Sequence, residues 1–274
     1  MKSNIYFMKL FSSNSPLALR KLFTLFLAFV VPVTVAGLVV PSAAQAAVTT
    51  QEVTYYEDTK GYLAVPSRSS GKKAAIILIH EWWGINDDLR QKARDFAEEG
   101  YIALAVDLYN GESAATPAQA RKLAGAVRED GDGAFANLGA ALDYLRQRDD
   151  VDAERLASVG WCFGGGWAYQ MAINNLGTKA SVMYYGRFSA DDDLEQMRSR
   201  ILGHYAEKDR SIKLDDVRQF QATLRGISTS NEIFIYPNAG HGFANPDNTA
   251  VYDRDSANKA YKRTLEFLDK QIGG

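Results

Sequence analysis

The segment Gly160-Trp161-Cys162-Phe163-Gly164-Gly165 sets the single cysteine of the chain between glycines. A G-x-nucleophile-x-G spacing suits a tight strand-to-helix elbow, which pushes a reactive side chain out of a sheet and onto a helix N-terminus. Glycines are needed because the turn is strained and crowded, and the positive end of the helix dipole favours thiolate. A lone cysteine is ordinarily a small apolar packing residue. Here its neighbours argue for a nucleophile. An unperturbed thiol is only a few per cent ionised at neutral pH, so it benefits from a base and from a group that orients the base.

The chain has three histidines from which to take that base. His80 ends an apolar run well before the cysteine, and His204 sits inside the run Ile201 to Tyr205, as a packed strand residue would. His241 lies in Asn238-Ala239-Gly240-His241-Gly242-Phe243, a loop after the last apolar run, from which its ring can reach Cys162. Asp209 follows the run Ile201 to Tyr205 and precedes the histidine loop, giving the order nucleophile, acid, histidine that such elbows use. Glu207 is its rival. Asp191, Asp192 and Asp193 read as a solvated helix start, and Asp215 and Asp216 as first-turn helix residues.

The segment His80-Glu81-Trp82-Trp83-Gly84 follows the first clear strand. An alkoxide formed by attack on an ester carbonyl needs two preorganised donors, and the backbone N–H groups of Trp82 and Phe163 are expected to supply them. Glu81 then falls close to the thiol, and its tryptophan neighbours favour a partly buried functional carboxylate over a solvated one. Trp83, Tyr184, Tyr185 and Phe243 are candidates for a pocket that takes a compact acyl group, with core packing the alternative.

The elements that must position these groups alternate as short apolar runs and amphipathic segments, the rhythm of parallel strands joined by helices. Strands are expected at Ala74 to His80, Ile102 to Val106, Leu156 to Gly160, Ala180 to Tyr185, Ile201 to Tyr205 and Glu232 to Tyr236. Helices are expected at Asp87 to Glu99, Pro117 to Arg128, Ala134 to Arg148, Gly165 to Asn175, Leu214 to Arg225 and Ser256 to Gln271. Right-handed crossovers then give a mostly parallel twisted sheet with helices on both faces, in an α/β class and a single domain. Ligands bind beyond the carboxyl ends of such strands. Glu81, Cys162, Asp209 and His241 all follow strand ends.

A chain of 274 residues with 46% hydrophobic composition can bury a sizeable core. The first 46 residues carry Lys2, Lys9, Arg20 and Lys21, no acid, an apolar run from Leu22 to Val40, and Ala44-Gln45-Ala46 before Ala47. This is the pattern of a secretory signal removed after Ala46, leaving residues 47–274 as the exported domain. Retention as a membrane anchor is the competing reading. With those four taken away, the 31 bases become 27 against 33 acids, a balance of −6. Nucleic acid is a poor partner for that charge. A single cysteine forms no internal disulfide, and H-E-x-x-H and C-x-x-C metal patterns are absent, as is the Lys-Ser/Thr of a phosphate loop.

Together these residues resemble the dienelactone hydrolase family: His80-Glu81-Trp82-Trp83-Gly84, Val106-Asp107-Leu108-Tyr109, the cysteine elbow, Tyr184-Tyr185-Gly186, Asp209 and Gly240-His241-Gly242-Phe243. The likeness spans about Val53 to Ile272. It implies an α/β-hydrolase fold, a cofactor-free mechanism and a Cys162-His241-Asp209 triad acting on a small ester or lactone through a thioacyl-enzyme. It also implies that Glu81 holds the resting cysteine and helps to form the thiolate when substrate binds. In well-studied members an arginine four residues after the histidine helps to bind the substrate carboxylate. Here Asn245 stands there, and Gly242 replaces a serine. Arg121, Arg128 or Arg187 are the available cations.

The expected product is a periplasmic or secreted, monomeric hydrolase of a small-molecule substrate, without a stable membrane partner once its leader is cleaved. The alternatives are a cysteine thioesterase or peptidase, and a non-catalytic periplasmic thiol sensor or binding protein. The absence of a second, resolving cysteine weighs against the sensor.

Overall fold

Each apolar run becomes a strand, and the alternation within it decides which helix the strand meets. The computed structural model describes residues 48–67, 71–189 and 191–273. The expected leader lies outside them. Eight strands form one sheet: β1 (Val48–Tyr56), β2 (Thr59–Pro66), β3 (Lys73–Ile79), β4 (Ile102–Val106), β5 (Val151–Trp161), β6 (Ala180–Tyr184), β7 (Arg200–Ala206) and β8 (Glu232–Tyr236), in the spatial order β1-β2-β4-β3-β5-β6-β7-β8. From β4 to β8 every neighbouring pair is parallel, while β1–β2 and β2–β4 are antiparallel.

Among the described residues six helices pack on it: α1 (Asp87–Glu98), α2 (Pro117–Glu129), α3 (Gly131–Arg146), α4 (Phe163–Ile173), α5 (Leu214–Ile227) and, after the last strand, α6 (Arg254–Ile272). Ile76 and Leu78 of β3 pack with Leu89 and Phe96 of α1 and Phe267 of α6. Ile77 and Ile79 pack with Leu142 of α3 and Met171 of α4 on the opposite face. Central strands buried on both faces account for the continuous apolar runs. Local chemistry starts the helices: Asn86 accepts the N–H of Leu89, Thr116 and Gln119 close a capping box around Pro117, and Asp253 accepts the N–H of Ser256.

Two features depart from the sequence expectation. The hairpin β1–β2 was not foreseen, because β1 is mostly exposed and its Val-Thr-Thr-Gln-Glu start lacks an apolar face. It extends the parallel sheet by an antiparallel edge. The acids 191–193 start no helix. Asp192 instead accepts the hydroxyl of the buried Tyr169 at 2.8 Å, and Asp193 accepts the N–H of Glu195.

Candidate active site

Cys162 sits between β5 and α4 with φ 52° and ψ −109°, in the left-handed half of backbone space that a Cβ disfavours. Its N–H donates to the Tyr184 carbonyl of β6 at 2.9 Å, and its carbonyl accepts from Gly166. No side chain caps α4. Its first turn therefore faces the cleft with the positive end of the helix dipole. A Cβ on Gly160 would stand 2.0 Å from the Gly164 carbonyl oxygen, which explains why the elbow needs glycine there.

His241, on the loop after β8, places Nε2 3.1 Å from Cys162 Sγ. Its Nδ1–H donates to Asp209 Oδ2 at 2.7 Å, and the Asp209 side chain is essentially buried. Asp209 is itself fixed by the N–H groups of Ser211 and Ile212, both donating to Oδ1. Burial alone lowers the imidazole pKa, but the hydrogen bonds to Asp209 and Cys162 outweigh it and carry His241 up to about 10. The protonated ring is the form this geometry favours at neutral pH. Glu207, the rival acid, instead accepts the N–H of Asn238 and ties down the base of the histidine loop.

An Asp209→Asn substitution is expected to keep the fold while cutting ester turnover about 10³-fold or more, because the amide can hold the ring in the wrong tautomer. Steady-state kinetics beside a thermal melt check this. A loss under tenfold would mean that Asp209 does not orient the ring.

The other two histidines are engaged elsewhere. His80 is fully buried; its Nδ1–H donates to the Glu81 carbonyl while Nε2 accepts the N–H of Leu108 at 3.2 Å. Burial lowers its pKa, so it stays neutral and clamps the backbone that leads to Trp82. His204 is locked between the Tyr236 and Thr264 hydroxyls, and burial, then Arg263, push it down to about 3.

A cleft of about 940 Å³ opens over Cys162, walled by Trp82, Trp83, Phe135, Phe163, Trp167 and Tyr185, with Glu81 and His241 in its lining. Of the expected pocket residues, Trp83 and Tyr185 are in this wall. Tyr184 and Phe243 are not: Tyr184 is buried against Trp161 and His204 with its hydroxyl bonded to Thr264, and Phe243 is buried against Tyr185 and Tyr236. β6 ends at Tyr184, and the turn that follows, with Tyr185 at φ 40°, carries the second ring to the cleft.

Glu81 also differs from the expectation. Its carboxylate accepts the Tyr185 hydroxyl on Oε1 at 3.0 Å and the Asn245 amide on Oε2 at 2.7 Å, while Cys162 is engaged by His241. Asn245, 164 residues from Glu81 in sequence, could not be given this role by sequence reasoning. Only its place four residues after the histidine marked it.

The parallel sheet, with a strand-to-helix elbow at Cys162 and an acid and a histidine on the loops after β7 and β8, is that of an α/β hydrolase. The chain belongs to the dienelactone hydrolase family, whose model matches residues 59–272, and with it to the hydrolases of esters and lactones. A protein of Escherichia coli (strain K12) assigned as a carboxymethylenebutenolidase is 31% identical over 233 residues, covering 80% of this chain and 84% of the relative. A Bradyrhizobium sp. protein assigned as a 2-oxo-3-(5-oxofuran-2-ylidene)propanoate lactonase is 30% identical over 230 residues, with 80% and 92% covered. The crystal structure of a protein from Klebsiella pneumoniae subsp. pneumoniae MGH 78578, assigned as a dienelactone hydrolase, superposes with a TM-score of 0.74 at 27% identity, covering 82% of this chain and 99% of that one.

Proposed function

We propose that the protein hydrolyses a small ester or lactone by covalent catalysis at Cys162. The observation that carries this reading is the hydrogen-bonded line Cys162–His241–Asp209 at 3.1 and 2.7 Å, opening into the aromatic cleft. Cys162 Sγ, its proton already passed to His241 Nε2, attacks the carbonyl carbon. The carbonyl oxygen becomes an oxyanion held by the N–H groups of Phe163 and Trp82. Collapse expels the alkoxide, which takes the proton back from His241 and leaves a thioester on Cys162. His241 then deprotonates a water that attacks the thioester, and the acid departs with the thiol restored.

The test is hydrolysis of p-nitrophenyl acetate and of a dienelactone, with the intact mass of the protein read during turnover. An acyl adduct on Cys162 is expected; turnover without one, or cleavage of peptides only, would overturn the reading.

Substrates that carry a carboxylate are favoured. Arg121, Arg128 and Arg187 line the cleft, and among the described residues none of the three joins an ion pair. Arg128 lies over the Phe163 ring at 5.6 Å, close to the elbow. The lactone for which the Bradyrhizobium relative is named likewise carries a carboxylate. Arg128→Ala is expected to raise KM for a carboxylate-bearing lactone about three- to tenfold, the size of an exposed charge contact, with p-nitrophenyl acetate unaffected. Equal effects on both substrates would remove Arg128 from recognition. The leader adds that this hydrolysis takes place outside the cytoplasm, and cell fractionation tests it: activity confined to the cytosol would be the contrary result.

A further inference from the structure

We propose that Asn245 and Tyr185 are positioning residues that hold Glu81 away from the nucleophile, so that the Cys162–His241 pair stands assembled before any substrate arrives. This rests on the reading of Cys162 as the nucleophile. Glu81 lines the same cleft as Cys162, and a carboxylate free to turn there has two effects on the thiol. It accepts the S–H proton and holds the sulfur away from His241, and its negative charge disfavours the thiolate. Either would make activation wait for substrate to displace the carboxylate.

The geometry removes that freedom. Both oxygens of Glu81 are occupied, one by the Tyr185 hydroxyl at 3.0 Å and one by the Asn245 amide at 2.7 Å. Tyr185 is itself fixed. Its backbone is held at φ 40°, its N–H donates to the His204 carbonyl at 2.7 Å, and its ring is fully buried against Phe243 and His241. Burial and the Glu81 charge drive the phenol pKa well above 10, so the hydroxyl keeps its proton and remains a donor. Asn245 is also buried, and its side-chain carbonyl accepts the N–H of Asp247, which leaves its amide protons directed at Glu81. Both donors are uncharged. A substrate carboxylate entering the cleft therefore meets no Glu81 ion pair that it must break.

The experiment measures alkylation of Cys162 by iodoacetamide in substrate-free enzyme at neutral pH, followed by intact mass, together with kcat and KM on p-nitrophenyl acetate. Tyr185→Phe removes only the hydroxyl and keeps the ring packing; Asn245→Ala removes the amide. Hydrogen bonds to a charged group are strong enough that each variant is expected to slow alkylation about tenfold or more, with kcat falling by a similar factor and KM little changed. Removing Glu81 as well, in Glu81→Ala/Asn245→Ala and Glu81→Ala/Tyr185→Phe, is expected to restore alkylation to within about threefold of wild type. A loss caused merely by a disturbed fold would not be rescued by a second deletion. Wild-type alkylation rates in both single variants, or double variants as slow as the singles, overturn the proposal. Because alkylation needs no ester, failure of ester turnover in the wild type would count against the proposed function and leave this comparison readable.

Discussion

Replacing Cys162 with alanine is expected to lower ester turnover about 10⁴-fold or more while leaving the melting temperature within a few degrees of wild type. The loss is large because removing the nucleophile of a catalytic line costs about as much as removing the whole line. What remains comes from carbonyl polarisation by the elbow amides and from substrate binding. The stability is kept for two reasons. Cys162 is only partly buried, so truncating it opens little cavity. Alanine also carries the same Cβ as cysteine, so the strain of φ 52° is unchanged. Kinetics with p-nitrophenyl acetate and a thermal melt read the two quantities separately. Residual turnover near the wild-type rate would assign the nucleophile elsewhere.

The second large effect is on folding. Gly164 lies where α4 crosses the end of β3, and a Cβ there would stand 2.2 Å from the Ile79 carbonyl oxygen and 2.6 Å from that of His80. Both obstacles are backbone, which no rotamer change relieves. Gly164→Ala must push the helix off the sheet, at an expected cost of about 3 kcal/mol or more, and it displaces His80 together with the Glu81 and Trp82 backbone that follows. Gly166 provides the contrast two residues on. Its added Cβ would meet nothing closer than 3.5 Å, at the Arg187 carbonyl. Gly166→Ala is therefore expected to fold normally and to gain up to about 1 kcal/mol from reduced chain entropy in a helix. Urea denaturation of the two variants compares them directly. Equal stabilities would mean that the close approach at Gly164 is not a constraint.

The sequence by itself determined the elbow, the strand-helix alternation and the order Cys162, Asp209, His241. These are local properties: apolar runs declare buried strands, and a crowded turn declares itself through its glycines. The packed position of His204 was also readable from its place inside a strand, whereas the two backbone contacts of His80 were not. The edge hairpin was not, since β1 is largely solvent-exposed and its pairing comes from β2 rather than from its own pattern. Tertiary structure alone decided which aromatics meet the cleft, since Tyr184 and Tyr185 are adjacent in the chain yet their hydroxyls end on Thr264 and on Glu81. It also decided the fate of Glu81. That carboxylate meets Tyr185 and Asn245 across 104 and 164 residues of chain. Side chains that far apart are brought together by sheet order and crossover, for which no short stretch of sequence carries a signal.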